Sequence, residues 1–251
     1  MSNDSHPNRY HPSLAPSSKH FVLRLVELAL VVVLLFPYGI ATYKRNFVWK
    51  DEVTLWSDCT QKSPLKRRTH NNLAVAYNEE DLPDQAIAEA VLALRLSENY
   101  ANPFISIGNA FFKKKSYDMA IISYQNALNI YPDYPDAFFG MGNAYAKKGE
   151  MDQAIDMFQK TIKLRPNDVT AYINLAAAYG SKGLTDLAIK ELRNALSLKP
   201  DSPDIHYNLG VAFETQGLLF NAFAEYKMAL RLNPDDSEAL LKYNELRNKF
   251  K

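Results

Sequence analysis

"PDAFFGMGNAYAKKGEMDQAIDMFQKTIKLRP", residues 135–166, decides how the chain is read. Phe138, Met141 and Tyr145 recur at three- and four-residue steps, the spacing of one helix face, and Gly149 follows as a terminator. Ile155, Phe158, Ile162 and Leu164 carry a second such face up to Pro166. The proline ends it, because the residue before a proline disfavours the α region. Two short helices joined by a turn are predicted. Gly142 and Ala154 are small enough to let them approach closely, and the aromatic column of Tyr145 is expected to fill the space beside them.

The same pattern extends in both directions with a period of 34. Ala86, Ala120, Ala154, Ala188 and Ala222 keep the spacing without a slip. Tyr77, Phe111, Tyr145, Tyr179 and Phe213 are always aromatic, and Ala74, Gly108, Gly142, Ala176 and Gly210 are always small. Pro132, Pro166, Pro200 and Pro234 close the units. Five units follow, at 67–100, 101–134, 135–168, 169–202 and 203–236. No helix pair of this size can bury its apolar face alone, so stability must come from stacking on neighbours. The fold class is therefore all-α, a superhelical solenoid.

"AYINLAAAYGSKGLTDLAIKELRNALSLKP" (171–200) resembles the tetratricopeptide (TPR) repeat through Leu175, Tyr179, Ala188, Ala195 and Pro200. The family tryptophan is replaced by His70, Phe104, Phe138, Tyr172 and His206, read here as packing residues. The first unit departs further, with Glu98 in the proline column and Ala90 where a large residue is usual. Residues 237–251 continue the register as one helix. Leu240, Tyr243 and Leu246 are expected to cover the last repeat as a C-terminal cap, with Lys242, Arg247 and Lys249 in water.

Upstream, residues 1–20 are polar and rich in Ser and Pro, which predicts a disordered tail. His6, His11 and His20 lack metal-ligand spacing. Residues 28–43, "LALVVVLLFPYGIATY", carry no charge. Extended back to Phe21, the segment forms a transmembrane helix over 21–43, about 34 Å long. A cleaved signal peptide is the rival reading, with Pro37 breaking the helix and Gly39-Ile40-Ala41 as small residues for cleavage. Arg9, Lys19 and Arg24 before the uncharged run balance Lys44, Arg45 and Lys50 after it, so charge leaves orientation open.

Residues 44–66 read as an interfacial segment and a capping half-repeat. Trp49 belongs at the membrane interface, and 51–64 fall in the register of a second helix that lacks its first. Cys59 then occupies a small, buried column. The junction "RNFVWKDEVTLW" (45–56) with "KSPLKRRTHNNLAVAY" (62–77) also resembles mannosyltransferase-like membrane proteins, in which a final membrane helix leads into tetratricopeptide repeats. That resemblance implies that the repeats face the extracytoplasmic side, with residues 21–43 read as the single membrane pass. It also implies a rival role as an accessory or split-off part of a glycosyltransferase complex with a multi-helix membrane protein. A cytosol-facing adaptor is a third reading.

Lys plus Arg number 29 and Asp plus Glu 28, which argues against a nucleic-acid partner. One cysteine excludes an internal disulfide and a CxxC metal site. There is no phosphate loop or Ser/His/Asp set in context, so no catalytic residue, cofactor or metal is expected. The family resemblance implies protein or peptide binding on the concave face of the first helices. Asn72, Asn174 and Asn208 form one column there, Asn109 and Asn143 a neighbouring one, and Ile105, Phe139, Ile173 and Tyr207 an apolar strip. Asn71, Val75, Gly140 and Thr170 occupy places where relatives that clamp a carboxylate carry cations. The Lys113-Lys114-Lys115 run reads as a solvated turn.

Overall fold

Each 34-residue unit folds as two helices joined by a tight turn. Arg67–Glu79 (α3) pairs with Pro83–Leu96 (α4), Asn102–Lys113 (α5) with Tyr117–Ile130 (α6), and Pro135–Lys148 (α7) with Met151–Leu164 (α8). Val169–Ser181 (α9) pairs with Thr185–Leu198 (α10), and Pro203–Thr215 (α11) with Leu219–Leu232 (α12). Every second helix also packs on the first helix of the next unit, so the pairs stack in sequence order, ending on Ser237–Lys249 (α13). The structure is a computed structural model that describes residues 18–250, among which there is no strand. Of the tail expected at 1–20, residues 1–17, with His6 and His11, lie outside the described residues, and residues 18–20 are helical.

Local chemistry explains these boundaries. The helix α7 stops at Gly149, which adopts the left-handed conformation at φ 82°. Asp81, Lys115, Gly183 and Gly217 occupy the same turn column, all with positive φ. A side chain strains that conformation, so the first two turns carry a small cost the later three avoid. Pro166 ends α8 two residues ahead of itself, with Arg165 outside the helical region.

Packing within a pair corrects one expectation. The ring against the small column is the one from the second helix, not from the Tyr145 column. A Cβ on Gly142 would lie 2.6 Å from Phe158 Cε1, and one on Gly210 2.5 Å from Tyr226 Cε1. Gly108 meets Tyr124 in the same way. Where the small residue is Ala176, the facing position is Leu192, in the same core cluster. Where it is Ala74, the facing position is Ala90. A large residue thus faces a small one in four of the pairs, while Ala74 and Ala90 leave the first pair with less volume.

Neighbouring units are marked laterally by pairs 30 residues apart. Asp84 meets Lys114, Asp118 meets Lys148, Asp152 meets Lys182, and Gln216 donates to Asp186. In the next step the same two columns hold Phe220 and Phe250, stacked with centroids 4.5 Å apart. These carboxylates are exposed, so the pairs fix register more than they stabilise. Lys113 also pairs with Asp81, so two of the three lysines expected in a free turn are engaged.

His70 and His206 are buried, and each does more than pack. His70 Nδ1 lies 2.7 Å from Glu89 Oε2 and its Nε2 2.9 Å from the Pro64 carbonyl. His206 repeats this with Glu225 at 2.7 Å and the Pro200 carbonyl at 3.2 Å. Each ring thus has a hydrogen-bond partner at both nitrogens. His206→Ala should lower stability by about 2 kcal/mol. Glu225→Ala should lose a similar amount and the double variant little more, by chemical denaturation.

The helix α13 begins at Asp236, whose carboxylate accepts from the backbone N–H groups of Glu238 and Ala239 at 3.0 Å. Leu246 is fully buried and Tyr243 stacks on Phe223 at 4.7 Å, but Leu240 stays exposed. Lys242, expected in water, is 3.2 Å from Glu214, which also accepts from the Tyr226 hydroxyl at 2.7 Å. Burial raises the Glu214 pKa, yet Tyr226 and Lys242 outweigh it and hold the carboxyl below its ordinary value. This contribution is present above the ordinary carboxylate range and is lost as pH falls through the depressed value. Asn244 and Arg247 stand in the small and aromatic columns, both exposed.

The N-terminal unit, residues 1–55, contains the helix Ser18–Val48 (α1) and the start of Glu52–Lys62 (α2). The helix α1 starts ahead of the expected limit at residue 21 and passes through Pro37 without breaking. Its window Val26–Tyr43 has mean hydropathy 1.9 and is unburied, long and apolar enough to cross a membrane. No side chain of α2 is fully buried, and Cys59 is half-buried rather than buried.

Candidate functional site

The first helices of the units carry three clefts. One of about 390 Å³ is lined by Val75, Asn78 and Glu79 of α3 and by Asn109, Phe112 and Lys113 of α5. A second, about 300 Å³, includes Asn143 and Lys147 of α7, Asn174 and Ser181 of α9, and the far side of Phe112. The third, about 410 Å³, lies among α9, α10 and α11, with Ile173, Gly180, Leu192, Asn208 and Val211 in its wall.

Of the residues expected in the groove, Asn109, Asn143, Asn174, Ile173 and Asn208 line these clefts. Asn72, Ile105, Phe139 and Tyr207 line none of the three. The Phe139 ring packs 6.0 Å from Phe158, and Tyr207 packs 5.7 Å from Tyr226. Ile105 lies against the core of the second and third units.

Internal hydrogen bonds orient the amides. The Tyr124 hydroxyl donates to Asn109 Oδ1 at 2.7 Å, which leaves the Asn109 Nδ2 donor uncommitted. Burial raises the pKa of that hydroxyl, keeping it protonated and a donor. Asn174 Nδ2 donates to Asn143 Oδ1 at 2.8 Å, leaving a donor on Asn143 and an acceptor on Asn174. Asn78 Nδ2 donates to the Ser106 carbonyl at 2.9 Å, and its Oδ1 is buried with no hydrogen-bond partner. The second cleft thus offers one amide donor and one amide acceptor, the complement of a peptide unit, and the first offers the Asn109 donor.

Sequence reading missed Asn78, Phe112 and Gly180. They share a column, with Ala146 and Glu214, whose residue types vary too much to register as a repeat feature. The available signal was helical spacing: Ile105, Asn109 and Phe112 stand at i, i+4 and i+7. Among the described residues, no group of three or more His, Cys, Asp or Glu could hold a metal ion.

Stacked helix pairs whose first helices line a row of clefts define an all-helical repeat protein built for binding. Residues 108–149, 142–183 and 180–217 match the family described as TPR repeat. Similar solved structures agree in fold. YrrB, described as a TPR protein with an unusual peptide-binding site, is 22% identical with a TM-score of 0.59, covering 74% of this chain and 95% of its own. TTC0263, a thermophilic TPR protein of Thermus thermophilus, is 20% identical with a TM-score of 0.56, covering 72% and 98%. MamA (41-end) from Desulfovibrio magneticus RS-1 is 19% identical with a TM-score of 0.62, covering 68% and 97%. None of these three is described as a mannosyltransferase. Among curated proteins no significant match is found.

Proposed function

We propose that this protein is a single-pass, membrane-anchored scaffold that binds an extended segment of a partner protein along the first-helix groove and performs no chemistry. The observation that carries the reading is the oriented amide donor and acceptor that Asn143 and Asn174 leave in the second cleft, next to the Asn109 donor in the first. An amide donor and acceptor recognise a peptide backbone regardless of its side chains, while the clefts between them accept side chains. The apolar stretch of α1 supports the anchor. The repeats are placed on the extracytoplasmic side, in keeping with the junction at residues 45–77.

Gly180 provides a clean test. Its φ is not in the left-handed region, and a Cβ there would meet nothing within 4 Å. Unlike Gly142 or Gly210, it has no packing reason to be glycine, and glycine costs a helix about 1 kcal/mol relative to alanine. Gly180→Leu should therefore keep or raise the melting temperature while its side chain enters the third cleft. A photo-crosslinker at residue 211, used on the full chain in its native membranes, should capture a partner that Gly180→Leu loses at least tenfold. Capture unchanged by this variant, with the fold intact, counts against the groove.

A further inference from the structure

We infer that the third cleft, among α9, α10 and α11, is an aromatic anchor pocket that takes a phenylalanine side chain of the bound segment. This rests on the groove reading above and names the residue class that the segment must carry. The pocket exists because the fourth unit lacks what three others have. Tyr124, Phe158 and Tyr226 each lay a ring on a glycine of their own first helix, at Gly108, Gly142 and Gly210. In the fourth unit the same two positions are Leu192 and Ala176, and a leucine is shorter than a ring. The positions that receive the outer end of the ring change with it. The Tyr124 hydroxyl reaches Asn109 and the Tyr226 hydroxyl reaches Glu214, whereas the equivalent residues of α9 are Ala177 and Gly180. Ring, hydroxyl and acceptor are thus replaced together by small apolar groups. The units have not closed over the loss. Ala176, Ala177, Gly180, Ala188 and Leu192 line the cavity of about 410 Å³, and a Cβ on Gly180 would meet nothing within 4 Å. The corresponding cleft over Phe158 is smaller, about 300 Å³.

The chemistry of the walls selects the occupant. Among the described residues, no charged one lines this cavity, whereas Glu79 and Lys113 line the first cleft and Lys147 the second. The Ser181 and Thr215 hydroxyls donate to the carbonyls of Ala177 and Val211 on their own helices, so their protons are already spent. A charged side chain would lose its hydration there without gaining a partner of opposite charge. A phenyl ring would instead restore the contacts that the other units make internally. Asn208, also in the wall, supplies the second half of the recognition. Asn174 donates to Asn143, 31 residues before it. At the same spacing Asn208 meets Ala177, which has no side-chain acceptor, and the Asn208 amide has no hydrogen-bond partner among the described residues. Donor and acceptor are therefore both free to hold the peptide unit that carries the ring. An apolar pocket with one such polar group in its wall fixes a side chain and its orientation together.

The test uses the full chain in detergent micelles and a phage-displayed library of random 12-residue peptides. Groove binders are those lost on Gly180→Leu or on Asn174→Ala. Their affinities are then measured by fluorescence anisotropy with each aromatic residue replaced by alanine. One such replacement should weaken binding about tenfold, as burial of a phenyl ring predicts. Ala176→Gly combined with Leu192→Phe copies the Gly142 and Phe158 pair into the fourth unit, so a ring of the protein itself should fill the pocket while the melting temperature is kept. In that background the alanine penalty should shrink to about twofold, because the ligand ring has lost its seat. Val211→Phe, at an exposed position in the same wall, gives the same reading without altering the core. Groove binders that tolerate loss of every aromatic residue, or a penalty that neither variant reduces, overturn the pocket and leave the groove reading standing. A library that yields no binder sensitive to Gly180→Leu or Asn174→Ala overturns both.

Discussion

Gly140→Val should destabilise the middle of the array by roughly 3 kcal/mol, although valine is a better helix former than glycine. The Tyr124 ring is the reason. A Cβ on Gly140 of α7 would lie 2.4 Å from Tyr124 Cζ, and one on Gly108 of α5 would lie 2.4 Å from Tyr124 Cε1. The ring is thus clamped between glycines of two successive units, 2% exposed, with its hydroxyl held by Asn109. It cannot retreat without breaking that bond and opening a cavity. Even Gly140→Ala should destabilise, reversing the sign that helix propensity alone predicts. Tyr124→Leu supplies the control, since leucine already faces alanine at Leu192 and Ala176. In that background Gly108→Ala with Gly140→Ala should restore stability rather than lose more. Because units in a stacked array contact only their neighbours, the loss should appear as faster amide exchange centred on α5 to α7. Gly140→Ala with unchanged or slower exchange there would show that the clamp does not set the spacing of the units.

This clamp also marks where sequence reading succeeds and where it stops. The 34-residue period, the helix ends at Gly149 and Pro166 and the small columns were all legible, because each follows from local sterics that recur along the array. Which aromatic column fills the small one was not. Tyr145 and Phe158 both fit the helical period, and only the crossing of the two helices decides between them. The left-handed turn residues Asp81 and Lys115 were hidden for a related reason: the column is glycine in three units, and the two exceptions look like ordinary polar turn residues. At the candidate groove, columns identified Asn109, Asn143, Asn174 and Asn208. They could not show that Tyr124 and Asn174 spend one half of an amide and leave the other half to a ligand. Phe139 and Tyr207 share a repeat column with Ile173 yet are taken up in ring packing, since a column fixes position within a unit but not what the neighbouring helix places beside it.

Val33→Arg combined with Leu34→Arg should release the protein from membranes. Both side chains are exposed on α1, at 67% and 63%, near the middle of the apolar window Val26–Tyr43. Arginine at the centre of a spanning helix costs about 3 kcal/mol, so two adjacent ones cost about 6 kcal/mol. That exceeds what snorkelling recovers, because the centre is farthest from either headgroup layer. Eighteen residues as helix cover about 27 Å, near the thickness of a bilayer core, and α1 continues beyond the window at both ends. The wild-type chain should stay in the membrane pellet after alkaline carbonate extraction, and the double variant should fail to insert or should extract. Intact mass separates this anchor from a cleaved leader, since a retained segment keeps α1 in the mature chain. A wild-type chain that extracts fully with its first forty residues attached would leave α1 without a membrane role. The Asn-lined clefts at 75–215 would then have to act as a free scaffold.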